Sequence, residues 1–174
     1  MNEDKLIKRC QRYDMSAYKV IYQHYEQPLL RTALRILGQR QDAEDAVQTT
    51  FLKLYRGIKN FQFKSKFSTY LFRILINNCF DILKGRKQVK LDTLDKVNPS
   101  YTPEPGVKFQ LEKAIDALPQ RMRACFVLFA IEEFKQNEIA EILGLSLGAV
   151  KSNIFHAKTR LRTRLSDVLT RENS

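Results

Sequence analysis

Wherever the apolar positions of this chain recur regularly, they recur at helical spacing. Ala43, Val47, Phe51, Leu54 and Ile58 lie three or four residues apart, as do Val150, Ile154, Ala157, Leu161 and Leu165, which is the repeat of one buried helix face. The strict alternation of a half-buried strand is nearly absent. The pattern predicts helices near residues 3–12, 15–37, 42–59 and 68–86, and again near 108–118, 120–133, 136–143 and 147–165. Asp14 is placed to cap the second helix, Gly38 to end it and Asp42 to cap the third, while Pro119 opens a later helix where its missing N–H costs nothing. Between the two sets lies KQVKLDTLDKVNPSYTPEPGV, with Pro99, Pro103 and Pro105 close together. Proline removes backbone donors and restricts its predecessor, so this stretch reads as a linker. The expected fold is all-α: two small helical domains, residues 1–86 and 108–174, joined by a linker at 87–107.

A hydrophobic fraction of 44% in 174 residues supports two small cores, and no apolar run approaches the roughly 18 residues of a membrane span. The start, MNEDKLIKRC, lacks the apolar block of a secretory signal, so a cytoplasmic location is expected. Cys10, Cys79 and Cys125 are widely spaced with no C-x-x-C pair and read as buried, reduced thiols. With two histidines and no H-x-x-x-H, phosphate-loop or Ser-His-acid pattern, neither a cofactor, a metal nor a small-molecule substrate is expected.

Charge changes the picture. Thirty Lys and Arg stand against 19 Asp and Glu, a net charge of +11. From Ile142 to Ser166 there is no acid at all, yet KSNIFHAKTRLRTR within that span carries Lys151, Lys158, Arg160, Arg162 and Arg164. Such a surface fits a polyanion, because each neutralised phosphate releases counterions.

The surrounding NEIAEILGLSLGAVKSNIFHAKTRL has the grammar of a helix-turn-helix. Ile139, Ile142 and Leu143 form the buried side of a short helix, Gly144 permits the left-handed closing residue, Leu145 plugs the corner and Ser146 caps the next helix. With Val150, Ile154, Ala157 and Leu161 inward, Lys151, Ser152, Phe155 and His156 face outward on the half that reaches base edges. Lys158, Arg160, Arg162 and Arg164 follow as phosphate contacts.

A second basic stretch is rich in aromatics. Between Lys64 and Lys90 Asp81 is the only acid, and Phe61, Phe63, Phe67, Tyr70 and Phe72 are interleaved with the cations. Rings and cations in this mixture suit unstacked bases. Phe67 and Phe72 read as core, Phe61 and Phe63 as exposed loop residues, and Tyr70 as either.

DAEDAVQTTFLKLYRGIKNF, the stretch through KFSTY, LPQR, EIAEILGLS and GAVKS occur here in that order, and the set resembles bacterial sigma factors of the extracytoplasmic-function class over nearly the whole chain. The resemblance implies a promoter-specificity subunit of RNA polymerase, with sigma domain two first and sigma domain four second. It implies that Asp45, Gln48, Thr49, Leu52 and Arg56 bind the core enzyme, with Thr49 standing where a Glu is common. It further implies that Asn60, Phe61, Phe63, Lys64, Ser65 and Lys66 form the pocket for a flipped minus-10 base, and that Tyr70, Arg73, Asn77 and Asn78 read its neighbours. Here the loop is FQFKS, where F-R-G-x-S is common, and Tyr70 replaces the usual Trp. Core RNA polymerase, promoter DNA and an anti-sigma factor are the implied partners.

Two other classes fit parts of the chain. A metal-dependent nuclease would use Asp42, Glu44 and Asp45 as ligands, though no water-activating partner accompanies them. An operator-binding regulator would use the helix-turn-helix and leave the first domain unexplained.

Overall fold

The computed structural model of the chain describes the backbone of residues 2–92 and 107–172, and the side chains of 2–89 and 109–166. Among these residues the elements are α-helices and one 3-10 turn: α1 (Glu3–Cys10), α2 (Met15–Leu37), α3 (Arg40–Gly57), the turn Ile58–Asn60, α4 (Phe67–Asp92), α5 (Val107–Asp116), α6 (Gln120–Ala130), α7 (Gln136–Leu143) and α8 (Leu147–Glu172). They fall into two compact units, Met1–Phe80 and Asp81–Ser174.

Local chemistry accounts for both ends of α2. Asp14 Oδ1 accepts the N–H groups of Ser16 and Ala17 at 2.9 and 3.3 Å, satisfying donors at the start of α2. Bonds from the Ser16 hydroxyl and the Arg9 guanidinium, with these backbone N–H groups, hold the Asp14 carboxyl down at about 2. Gly38 ends α2 in the left-handed region at φ 69°, where a Cβ would be strained. The third helix departs from expectation. Its cap position is Gln39, without a side-chain cap bond, and Asp42 sits inside the first turn, where the macrodipole favours an acid. Arg40 and Gln41 are adequate helix formers, so the helix begins ahead of the better capping residue.

The expected linker also starts later than its composition implied. KQVKLD contains no Pro or Gly, and α4 runs through it to Asp92. The three linker prolines lie outside the described residues. Val107 already belongs to α5.

In the first unit the core is built from Ile21, Leu29 and Ile36 of α2, Leu54 of α3, and Leu71, Leu75 and Ile76 of α4, all fully buried. Ala43, Val47, Phe51 and Ile58 are buried as their spacing predicts, and so are Phe67 and Phe72. In the second unit Ala114, Ile115 and Leu118 pack with Val127, Ala157 and Leu161, flanked by Leu111, Met122, Phe126 and Ile131. Val150 and Ile154 are buried and Leu165 half-buried, so α8 rests on one apolar stripe. All three cysteines are buried free thiols. No described helix is long and apolar enough to cross a membrane.

Candidate nucleic-acid interface

The helix-turn-helix forms as its residues require. Glu138 accepts the Lys135 N–H at 2.9 Å and steadies the start of α7. Gly144 takes φ 62° at the far end, and the Leu145 N–H returns to the Ala140 carbonyl at 3.0 Å. The Ser146 hydroxyl then accepts the Ala149 N–H at 3.1 Å and opens α8. On α8, Lys151, Ser152, Phe155 and His156 are all exposed, Phe155 by 66%.

The four later cations are exposed as well, but they divide between two flanks. Lys151, Phe155, Lys158 and Arg162 follow one another at four, three and four residues and so share a ridge. Lys158 Nζ lies 4.7 Å from the ring centroid of Phe129 on α6. Arg160 and Arg164, by contrast, line a cleft with Ala114, Ala117 and Leu118 at the α5 end.

In the first unit, the stripe Asp45, Gln48, Thr49, Leu52 and Arg56 is exposed along α3, with Leu52 showing 59% of its surface. Gln48 and Leu52 border a shallow apolar groove whose other walls are Met15, Tyr18 and Tyr22 of α2 and Phe51 and Tyr55 of α3. The Tyr18 hydroxyl donates to the Phe51 carbonyl, and burial pushes its pKa up to about 12. The family resemblance implies the stripe alone. The α2 wall is set by packing between helices, for which the chain carries no local signal.

The basic aromatic stretch differs most from expectation. Asn60, Lys64 and Lys66 are exposed and Ser65 half-buried. Phe63 is exposed by 37%, but Phe61, expected beside it in solvent, is only 8% exposed. Its ring centroid lies 4.9 Å from Phe63, 5.8 Å from Phe67 and 4.9 Å from Tyr70. A short loop bearing two rings folds one of them, Phe61, onto the rings at the start of α4, because burying its apolar area there is favourable. Tyr70 is half-buried, and a Cβ added to Gly57 would stand 3.1 Å from its hydroxyl.

Along α4, Tyr70, Arg73 and Asn77 succeed one another at three and four residues, and both Arg73 and Asn77 are exposed. Asn78 is not available to a base. It is 4% exposed, its Nδ2 donates to Thr50 Oγ1 at 2.9 Å, and its Oδ1 accepts from Lys53. Thr50 in turn donates to the Ala46 carbonyl at 2.7 Å, so a polar chain ties α4 to α3. The signal was present in the sequence, since Asn78 follows the buried Leu71 and Leu75 at seven and three residues.

The acidic cluster of α3 does not assemble a metal site. Glu44 pairs with Arg40 at 2.7 Å, and among the described residues no three His, Cys, Asp or Glu side chains converge.

Comparison with known proteins agrees with both halves. Residues 21–89 match the model of sigma-70 region 2, and residues 108–161 match that of sigma-70 region 4. The chain is 30% identical to the ECF RNA polymerase sigma factor SigW of Bacillus subtilis, over 94% of this chain and 97% of that protein. It is 33% identical to the ECF RNA polymerase sigma factor SigE of Mycolicibacterium smegmatis, spanning 85% of this chain and 61% of that one. Its fold is similar to that of CnrH in complex with the cytosolic domain of CnrY, with a TM-score of 0.74 and 24% identity over 93% of this chain and 96% of that one. It is also similar to the sigma factor RpoE of Bartonella quintana in complex with the anti-sigma factor NepR, with a TM-score of 0.72 and 23% identity over 86% and 96%. Matched in both regions and alike to SigW along almost its whole length, the chain belongs to the ECF RNA polymerase sigma factors of the sigma-70 family.

Proposed function

We propose that this promoter-specificity subunit of bacterial RNA polymerase divides its work among three surfaces. Asp45, Gln48, Thr49, Leu52 and Arg56, with the apolar groove beside them, bind the core enzyme. The Asn60 to Lys66 loop and the Tyr70, Arg73 and Asn77 face of α4 hold and read the opened minus-10 strand. Lys151, Ser152, Phe155 and His156 read the minus-35 duplex while Lys158 and Arg162 hold phosphates beside them. Arg160 and Arg164 add positive charge from the other flank. The domains are sigma domain two and sigma domain four, acting in the cytoplasm without catalysis of their own. An anti-sigma factor is a further partner, as it is for RpoE with NepR.

The observation that carries this reading is the half-exposed ring platform. Phe63 is exposed against Phe61, which packs on Phe67 and Tyr70, in a loop that also exposes Lys64 and Lys66. An exposed ring backed by other rings in a basic loop gives an unstacked base a face to stack on. The α8 ridge alone is what an operator-binding regulator would also show.

Reconstitution tests the reading. Added to core polymerase, the chain should direct initiation at promoters found by start-site mapping, and without core it should shift duplex DNA weakly. Asp45→Lys should lower core affinity several-fold or more, because reversing a charge at a complementary surface penalises encounter and docking together. Circular dichroism should show the helices intact. Tight duplex binding without core would favour a conventional regulator, and magnesium-dependent plasmid cleavage would favour a nuclease.

A further inference from the structure

The helix α1 lies ahead of the stretch matched to sigma-70 region 2, which begins at residue 21, yet it touches the aromatic loop at two points. At its C-terminal cap the half-buried Gln11 reaches across to the 3-10 turn. Its Nε2 donates to the Ile58 carbonyl at 3.1 Å and to the Phe61 carbonyl at 2.8 Å. The Phe61 N–H also donates to the Ile58 carbonyl, at 3.1 Å. One side-chain amide therefore pins the first residue of the turn and the first residue beyond it. One turn earlier on α1, Lys8 Nζ lies 5.8 Å from the Phe63 ring centroid, so a cation flanks the exposed ring.

The pinned segment is one that needs holding. Phe63 has φ 57°, a left-handed conformation that a bulky side chain rarely adopts. Its ring meets Phe61, whose ring meets Tyr70. The place of the exposed ring is thus set by Phe61, and Phe61 is held at its carbonyl by Gln11. A loop left to order itself when a base arrives would lose affinity by the entropy of that ordering.

We propose that α1 belongs to the strand-capturing site, with Gln11 a positioning residue that preorganises the Phe61 to Phe63 platform for an unstacked base. The inference rests on the reading of this loop as the base pocket. A brace that only stabilised the fold would weaken every activity of the first unit alike. A positioning residue weakens base capture and leaves core binding as it was.

The test uses full-length chain in holoenzyme and a promoter found by start-site mapping. Parent, Gln11→Ala, Gln11→Glu and Phe63→Ala proteins are titrated with a fork template whose minus-10 non-template segment is single-stranded. The same templates are prepared with an abasic site at each position of that segment. Gln11→Ala should lower affinity for the intact fork roughly tenfold, because the loop must then order when the base arrives. Gln11→Glu should lose more, because a carboxylate would face two carbonyls. Core affinity should stay at the parent level, and the loss should vanish on the one template lacking the captured base. If Gln11→Ala matches the parent while Phe63→Ala is impaired, the inference is overturned and the pocket reading stands. If Phe63→Ala also matches the parent, the pocket reading itself has failed. A Gln11→Ala loss that persists on every abasic template, or that extends to core binding, marks a fold brace and equally overturns the positioning role.

Discussion

Helix α8 and the aromatic loop, the two proposed DNA-reading surfaces, both expose rings and cations, but they hold them by opposite means. Each reader on α8 projects from a regular helix whose stability comes from the buried stripe behind it, so its place is set by the backbone even where the Phe155 and His156 rings meet edge to face at 5.5 Å. In the loop the rings lean on one another, and the exposed member depends on a buried one. A helix can therefore exchange one reader without moving the next, whereas a change at one loop ring moves its neighbours. This difference teaches where specificity is modular in the chain and where it is cooperative.

The sharpest way to break the comparison is to truncate one ring in each region. Phe61→Ala should cost about 3 kcal/mol of unfolding free energy, since it opens a cavity among Phe63, Phe67 and Tyr70. Phe155→Ala should stay within about 0.5 kcal/mol of the parent, as an exposed side chain does. Urea titration of the two proteins decides this, and similar losses in both would mean that the loop rings are as independent as those of the helix.

A smaller effect separates two adjacent amides. Asn78→Ala should destabilise by about 1–2 kcal/mol, because it removes the bond from Asn78 to the buried Thr50 hydroxyl and the one it accepts from Lys53. Asn77→Ala should leave stability nearly unchanged and weaken discrimination at one minus-10 base. Thermal unfolding and run-off transcription on single-base variants of the promoter check the pair together.

The smallest effects lie on α8. Lys151→Ala should relax preference at one minus-35 position, a contact worth about 1–3 kcal/mol. Arg162→Ala should weaken binding to all sequences and lower the log–log salt slope by about one unit. Arg160→Ala should lower it by less, since Arg160 lines the cleft with α5. Equal slopes for the two arginines would show that the flanks of α8 face DNA alike.

These contrasts also explain what could be read without coordinates. On α8 the helical period assigns every position to the inside or the outside, so Val150, Ile154, Ala157 and Leu161 were legible as core and Lys151 and Phe155 as surface. The turn chemistry of Gly144 and Ser146 was legible for the same reason, because each residue type has one backbone task there. The Asn60 to Lys66 loop has no period. Whether Phe61 faces in or out depends on Phe67 and Tyr70 from the next helix, and composition alone pointed the wrong way. Asn78 was misplaced by its residue type although its position on the Leu71 and Leu75 stripe was plain. Gln11 had no signal at all, since its partners are backbone carbonyls 47 and 50 residues away.

The central claim is that the loop captures a base from the melted strand. Permanganate footprinting of holoenzyme on a mapped promoter, comparing the parent with Phe63→Ala, tests it most directly. Phe63 is the variant to use, since Phe61 cannot be removed without disturbing the unit. Each base–aromatic stack is worth about 1–3 kcal/mol, so Phe63→Ala should form the closed complex as the parent does while thymines in the minus-10 segment lose most of their reactivity. Reactivity equal to that of the parent, at equal occupancy, would contradict the claim.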